Sequence, residues 1–563
     1  MKVMLLGINA RFTHVNPVLY YLRNLLDEKK YQREILETTI NDHVWDIMAD
    51  IMIHCPDVLC ISCYIWNQSH VQSILRDIKK FCKDLIIVCG GPDVSYNSQE
   101  WLDKFPSIDH IIQGYGEGDF LLLQHHGFKY PTKIINDNKL PLAKIPLPYL
   151  PADKERLRNR YLYYEASRGC HSKCSYCISS ISEQPLEYKE VETVKQEILT
   201  MLELEPIVIK FVDRSFNFDH DFCMGIWEFI LQLDTSTKFH FEIHPLYFSE
   251  KQREILEKMP ENRVQLEIGI QTTHNKTLEL IDREGTWKEV RENIRDIFFI
   301  KNRHFDMIAG LPGEKLKDIK QTFERLIRLH PSYLQIGFLK VLPGTKIAKE
   351  ADKWGYQYQS EAPYRVISSN SISVEELYQF ELVELAVHSI YNSRVMKNFT
   401  MQINNLLDEI FGYYLTLGIF LYKNLVNKSV SDKKRIFWTT KDHFDHFYKY
   451  DDFDYYLDNL RYDWFVSQDT HYYPEFLEAK HCDTFKKDFY LKFKEFLQKE
   501  YPTDPNSKDK GKITNAIFYT IKDYQYSKGL LMASDGIAKV GNMFYYIYLD
   551  DNENITKLRH WHA

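Results

Sequence analysis

No stretch of this 563-residue chain is a run of ~18 or more apolar residues, so no transmembrane helix is expected. No export signal is expected either: the apolar run Val3–Ile8 is shorter than an h-region and reads as a first strand. Positive charge is not in excess. The net charge of −8 argues against a large nucleic-acid footprint, which usually shows as a basic face. There is no internal repeat of solenoid period. These absences point to a cytoplasmic, non-membrane chain whose ten cysteines stay reduced. Closely spaced cysteines then read as metal ligands before disulfides.

What is present is an ordinary globular balance, 44% hydrophobic and 27% charged, with 14% aromatic residues. Residues 1–125 alternate short apolar strands (Lys2–Gly7, Arg33–Thr38, Val58–Cys63, Leu85–Cys89, His110–Gln113) with helical patterns. That alternation predicts a flavodoxin-like, doubly wound parallel sheet. Ligands in such folds bind beyond the carboxyl ends of the strands. Residues 126–160, interrupted by Pro131, Pro141, Pro146, Pro148 and Pro151, read as a linker. Six further strand and helix units over 161–350 predict a partial (βα)6 barrel, with its chemistry at the carboxyl strand ends. Residues 351–563 read as a mainly helical domain. Glu375–Ser393 and Met401–Leu425 are its clearest helices, Lys508–Gly511 a polar loop, and Ala516–Ile521 and Met543–Tyr548 late strands.

The strongest motif is Cys170-His171-Ser172-Lys173-Cys174-Ser175-Tyr176-Cys177, a C-x3-C-x2-C pattern directly after the first barrel strand. Three thiolates on one short loop can hold three irons of a 4Fe–4S cubane. The fourth iron stays open to an amino acid chelate such as the methionine end of S-adenosylmethionine. A zinc knuckle or a purely structural cluster is the competing reading. Zinc would want a fourth Cys or His nearby, and His171 is poorly disposed to supply it.

With that motif the chain resembles the radical S-adenosylmethionine (radical SAM) superfamily. The resemblance implies S-adenosylmethionine contacts at several further positions. Tyr176 should pack near the adenine. Asp213, in Asp213-Arg214-Ser215-Phe216-Asn217, stands where the family commonly has Gly-Gly-Glu and is the candidate for the methionine amine. Glu267 and Gln271, in Glu267-Ile268-Gly269-Ile270-Gln271, share one strand face by the period of two. A buried polar pair in the barrel wall is the alternative for them. Ile308 and Gly310, in Met307–Glu314, should lie along the adenine; an ordinary strand-to-helix turn explains the same residues.

The N-terminal domain together with the barrel resembles cobalamin-binding radical SAM proteins, in a subgroup with a C-terminal domain of unknown function. The carrying segments are Ser62-Cys63-Tyr64-Ile65-Trp66, Gly90-Gly91-Pro92-Asp93-Val94-Ser95 and Gly114-Tyr115-Gly116-Glu117, each after a strand. The loop Asn9–Pro17 should join them at the switch point. The implied cobalamin contacts are Asn9, His14, Ser62, Tyr64, Trp66, Gly90, Gly91, Pro92 and Glu117. The D-x-H-x-x-G signature whose His ligates cobalt is absent, so a bound corrin would lack a protein His ligand. His14 taken alone reads as a loop or packing histidine, and a degenerate domain that binds nothing is the alternative for the whole region. Leu334–Thr345 and Leu460–Trp464 also match the subgroup.

The resemblance implies cobalamin-dependent methyl transfer to an unactivated carbon of an unnamed small molecule or peptide. A reductase, flavodoxin or ferredoxin would supply electrons. Radical cyclisation or rearrangement is the alternative outcome. A non-catalytic iron–sulfur redox protein is the alternative of another class, and it would not need the segment Met307–Glu314. An RNA-modifying role is disfavoured by the acidic balance. In the C-terminal region, Phe444–Tyr456 and Tyr472-Tyr473-Pro474 could cap the barrel, though helix packing is the simpler account. Lys428–Arg435 reads as a solvated loop.

Overall fold

The structure is a computed structural model. It describes residues 1–181, 186–425 and 432–448, isolated positions between 457 and 499, and the backbone of four strands after residue 512. The chain divides into two compact units, Met1–Tyr378 and Gln379–Ala563.

In the first unit the N-terminal sheet contains β1 (Lys2–Asn9), β2 (Gln32–Thr39), β3 (Val58–Ser62), β4 (Ile86–Gly90), β5 (His110–Ile112) and β6 (Ile134–Ile135). All are parallel and ordered 2-1-3-4-5-6. The order reverses between β1 and β3, which makes that edge the topological switch point. The central strands β3 and β5 are buried along their whole length, as expected for strands covered on both faces. Helix Gln68–Phe81 buries Val71, Ile74, Leu75 and Ile78, a helical stripe against that sheet. Each such side chain contributes about 1.5–3 kcal/mol by leaving water. Helix Pro17–Leu25 starts with Pro at its first turn, and the Asn16 side chain accepts from Val18 N. The short edge strand β6, within the proline-punctuated stretch, was not expected. Two residues are too few to show any periodicity, and pairing with β5 alone defines them.

The barrel sheet contains β7 (Tyr161–Tyr164), β8 (Val208–Phe211), β9 (Lys238–Ile243), β10 (Val264–Gln271), β11 (Arg303–Ala309) and β12 (Tyr333–Phe338). They pair in sequential parallel order, the partial barrel foreseen. In β10 and β11 every second residue is fully buried, so one face packs on the helices and the other is left partly open. Register puts Tyr163, Lys210, His240 and Gln265 side by side on that open face, with Glu242 beside Glu267 one step on. On the opposite face Phe211, Phe216, Phe241 and Trp227 pack as an aromatic layer under helix His220–Gln232.

The two sheets of this unit are stitched at the first loop. Tyr161 N donates to Thr13 O at 2.8 Å, and Arg160 Nη2 donates to His14 O at 2.7 Å. Beyond the barrel, Tyr364 reaches back to the β4 loop. It accepts from Gln68 Nε2 at 2.8 Å and donates to Asp93 Oδ1 at 3.3 Å.

The second unit carries helices Lys397–Leu406, Ile410–Leu425 and Lys433–Phe447. The single helix expected over Met401–Leu425 is two, because Leu407 turns to an extended conformation at the end of the first. Within Glu375–Ser393 the α-helix ends at Ala386 and continues as a π-helix, Val387–Asn392. Lys433–Arg435, expected as loop, open a helix that Asp432 caps. Phe444 is buried and packs on Phe399 and Tyr448. Tyr472–Pro474 and Lys508–Gly511 lie outside the described residues. Besides helices the unit has an antiparallel sheet of β13 (Ile513–Ile517), β14 (Gly536–Val540), β15 (Met543–Leu549) and β16 (Ile555–His562). Asp463, in the Leu460–Trp464 segment, is buried and accepts from the backbone N–H groups of Asn398 and Phe399 at 3.1 and 2.8 Å. It thereby closes the start of helix Lys397–Leu406.

Candidate active site

The thiol loop leaves β7 through Ser167–Arg168, which pairs antiparallel with Glu187–Tyr188. Gly169 then turns at φ +102°, a conformation that glycine takes without strain. Cys174 is buried, and Cys170 and Cys177 are half-buried. All nine described cysteines are free. Burial pushes the Cys170 thiol up, while the Ser172 N–H and Ser215 hydroxyl pull it down; Cys177 and Cys174 add to the rise.

Among the described residues, no three His, Cys, Asp or Glu side chains converge as ligands of a single metal ion. A cubane does not need that, because its thiolates bind different irons. His171 stacks on Phe218 at 4.1 Å and is 43% exposed on its side chain. The hydroxyls of Ser172 and Ser175, both buried in this loop, have no protein partner. Donors left without acceptors beside three free thiols fit a cluster whose sulfides accept hydrogen bonds.

Arg283 was missed by the sequence reading. Its Nη1 lies 3.5 Å from Cys174 Sγ, and its Nη2 donates to the Gly269 carbonyl. Burial lowers the guanidinium pKa, but Tyr176 and Cys174 outweigh it and hold the group charged. No spacing rule links Arg283 to a cysteine 109 residues earlier; only the barrel closes that gap. Tyr176 is beside the same Cys174, and burial lifts its phenol far above the usual range.

Asp213 is fully buried. It accepts from Ala166 N at 3.2 Å and from Ser167 Oγ at 2.5 Å. Burial lifts its pKa to about 7. This carboxyl, expected to contact the methionine amine, is bonded here to the chain entering the thiol loop. Glu267 accepts from His240 Nε2 at 2.9 Å and Lys210 Nζ at 3.2 Å. Burial pushes its pKa up, yet these two partners pull it down to about 2, so it is ionised. Gln271 follows on the same face, with φ +69°, at a register shift between β10 and β11. A non-glycine residue held there is strained backbone at the mouth of the barrel. Ile308 is on the open face of β11, and Gly310, at φ +90°, accepts from Tyr356 OH at 3.1 Å.

A cavity of about 1310 Å³ opens between the two sheets. Asn9, His14, Ser62, Tyr64, Trp66, Gly90, Gly91, Pro92 and Glu117 all line it. The rings of Tyr64 and Trp66 stack at 4.2 Å, 9° from parallel, and offer a flat apolar face. A Cβ on Gly91 would meet the Cys63 carbonyl at 2.6 Å, so no side chain fits there. Asn9 Nδ2 donates to His14 O and Glu37, and Ser62 Oγ accepts from Asn16 Nδ2. His14 Nδ1 is 3.0 Å from Tyr163 OH, and its ring stacks on Tyr161. Burial and nearby Arg11, Lys210 and Arg160 lower its pKa, which keeps it neutral. The far wall is made by Tyr163, Lys210, Arg214 and Glu242, and by both shoulders of the thiol loop, Arg168–Gly169 and Ile178–Ser179.

Fold and site together define a two-domain α/β arrangement with a three-thiol barrel loop at one end of a large cavity and Rossmann-like strand ends at the other. Family models agree with each part. A B12 binding domain matches residues 4–123, the Radical SAM superfamily residues 164–326, and a protein of unknown function, DUF4080, residues 352–531. The chain thus carries a B12-binding domain, a radical SAM domain and a DUF4080 domain, in that order. Among curated relatives, the cobalamin-dependent radical SAM methyltransferase TokK of Streptomyces tokunonensis is 28% identical over 178 residues, 27% of this chain and 26% of that protein. A tRNA-2-methylthio-N(6)-dimethylallyladenosine synthase of Herpetosiphon aurantiacus is 22% identical over 49% of this chain and 62% of its own. The chain thus spans about a quarter of the first relative and under two thirds of the second. Among solved structures, the cobalamin-dependent S-adenosylmethionine radical enzyme OxsB with aqua-cobalamin bound superposes with a TM-score of 0.58 at 13% identity, over 83% of this chain and 81% of that one. That likeness extends the shared fold over most of the molecule.

Proposed function

We propose that this chain is a cobalamin-dependent radical SAM methyltransferase acting on an unactivated carbon of a small molecule or peptide. One observation carries the reading: a single cavity is walled by the strand-end loops of the B12-binding domain on one side and by the shoulders of the three-thiol loop on the other. A reaction that combines two cofactors needs them to face one space. When bound, the cluster would supply one electron for cleavage of S-adenosylmethionine, and the corrin a transferable methyl group.

Cys170, Cys174 and Cys177 would hold three irons. Arg283 offsets negative charge at Cys174, and buried Ser172 and Ser175 offer hydroxyl donors. Tyr176, Glu267, Gln271, Ile308 and Gly310 would contact S-adenosylmethionine, with ionised Glu267 suited to accept from ribose hydroxyls. Asp213 orients the entry to the loop through its bonds to Ala166 and Ser167. Tyr64, Trp66 and the Gly90–Pro92 turn would receive the corrin face, with Asn9, His14, Ser62 and Glu117 around it. Neutral His14 is already committed to Tyr163, which agrees with a corrin that takes no protein His ligand. A flavodoxin- or ferredoxin-type reductant would deliver the electron. We assign residues 1–125 to the corrin domain, 161–350 to the barrel and 351–563 to the C-terminal domain.

Anaerobic reconstitution of iron and sulfide, followed by reduction with S-adenosylmethionine present, tests the reading. Wild type should release 5′-deoxyadenosine, and Cys174→Ala should lose the cluster absorption and the product. Unchanged iron content in Cys174→Ala, or no 5′-deoxyadenosine from an intact reduced cluster, would overturn it.

A further inference from the structure

We infer that Arg168 is a positioning residue that couples the corrin-side loop to the thiol loop, so that occupancy of one cofactor site is felt at the other. This rests on the reading that both cofactors bind. Arg168 immediately precedes the Gly169 turn and stands two residues before Cys170. Its side chain is only 5% exposed. The guanidinium divides its donors between two carboxylates. Glu117, at the start of the helix after β5, accepts from Nη2 at 2.8 Å and Nη1 at 3.2 Å. Glu165, at the end of β7, accepts from Nη2 at 2.6 Å and Nε at 2.9 Å. The same group lies over the Tyr115 ring at 4.2 Å. The Arg168 backbone is pinned by pairing with Glu187, whose carboxylate accepts from Leu142 N at 2.7 Å.

A guanidinium bonded on two edges and stacked on a ring is a rigid connector, because its planar fork fixes direction as well as distance. Without the cation, two carboxylates would face each other unpaired in a buried site and would move apart. Tyr115, Glu117, Glu165, Arg168 and Gly169 all line the cavity. A corrin that displaces the Gly114–Glu117 loop therefore pulls on Arg168. The freest joint for that pull is Gly169, at φ +102°, directly before the first thiol. Coupling of this kind is reciprocal for binding free energies.

The test uses the full chain, reconstituted anaerobically, as wild type, Arg168→Gln, Arg168→Lys and Glu117→Gln. The probes are hydroxocobalamin and S-adenosylmethionine. Each dissociation constant is measured with and without the other ligand, alongside the electron paramagnetic resonance spectrum of the reduced cluster. In wild type the two affinities should change by one common factor, about fivefold or more, and hydroxocobalamin should shift the cluster spectrum. In Arg168→Gln, which keeps all three thiols, the factor should fall to about 1 and the spectral shift should vanish. Arg168→Lys keeps the charge without the fork and should recover only part. If Arg168→Gln does not fold, Glu117→Gln carries the test, since Arg168–Glu165 remains intact there. A wild-type coupling factor retained in the Gln variant that folds overturns the inference alone. Wild type that binds no corrin overturns the preceding reading, and this one with it.

Discussion

Replacing Arg283 with Gln should make the cluster harder to reduce. The half-buried guanidinium lies 3.5 Å from Cys174 Sγ, and reduction adds negative charge beside it. A hydrogen bond to a charged group contributes about 1.5–3 kcal/mol. A factor of ten corresponds to about 1.4 kcal/mol and, for one electron, to about 59 mV. Were the whole bond felt only by the reduced state, its loss would lower the potential by about 65–130 mV. Part of the attraction already exists in the oxidised state, so the lower half of that interval is expected. Arg283→Lys keeps a cation but cannot reach both Cys174 and the Gly269 carbonyl, so it should fall between. Redox titration of the reconstituted cluster followed by electron paramagnetic resonance reads the shift. A potential for Arg283→Gln within about 20 mV of wild type, at equal iron content, would refute the argument that this residue tunes the cluster.

Two further outcomes follow from buried groups outside the thiol loop. Burial lifts the Glu314 carboxyl from 4.5 to about 8, against the pull of the Thr272 hydroxyl. A pKa raised on folding means that its stabilising contribution is complete below pH 4.5 and is lost as pH rises through about 8. Glu314→Gln has no proton to lose, so urea denaturation should show the variant gaining on wild type by about 1.4 kcal/mol per pH unit across that window. Parallel pH curves for the two proteins would contradict the assignment. At Gly91, φ is +107° and an added Cβ meets the Cys63 carbonyl at 2.6 Å, whereas at Gly114 it meets nothing within 4 Å. Both positions have positive φ, so the clash alone separates them: Gly91→Ala should lower the thermal midpoint and corrin retention more than Gly114→Ala. Equal losses in both variants would show that close packing at Gly91 is not what matters.

What the sequence determined by itself is local. Strand and helix alternation is visible because burial on two faces leaves short apolar runs, and both parallel sheets follow from it. The C-x3-C-x2-C loop is legible because its thiols lie within one turn of chain. Where local pattern is thin the reading slips: β6 has only two residues, and the break at Leu407 falls between two segments that are each helical in pattern. Asp213 shows a different dependence. Its place at a strand end is legible in the sequence, but the direction of its carboxyl is set by bonds from Ala166 and Ser167, far away along the chain. Arg283 beside Cys174, and Arg168 between Glu117 and Glu165, join residues up to 109 positions apart. Charges separated that far along a chain interact only after the strands are brought into register, when burial strips away the water that would otherwise screen them. Tertiary structure therefore decided which charges meet, while the order of residues had already decided which elements carry them.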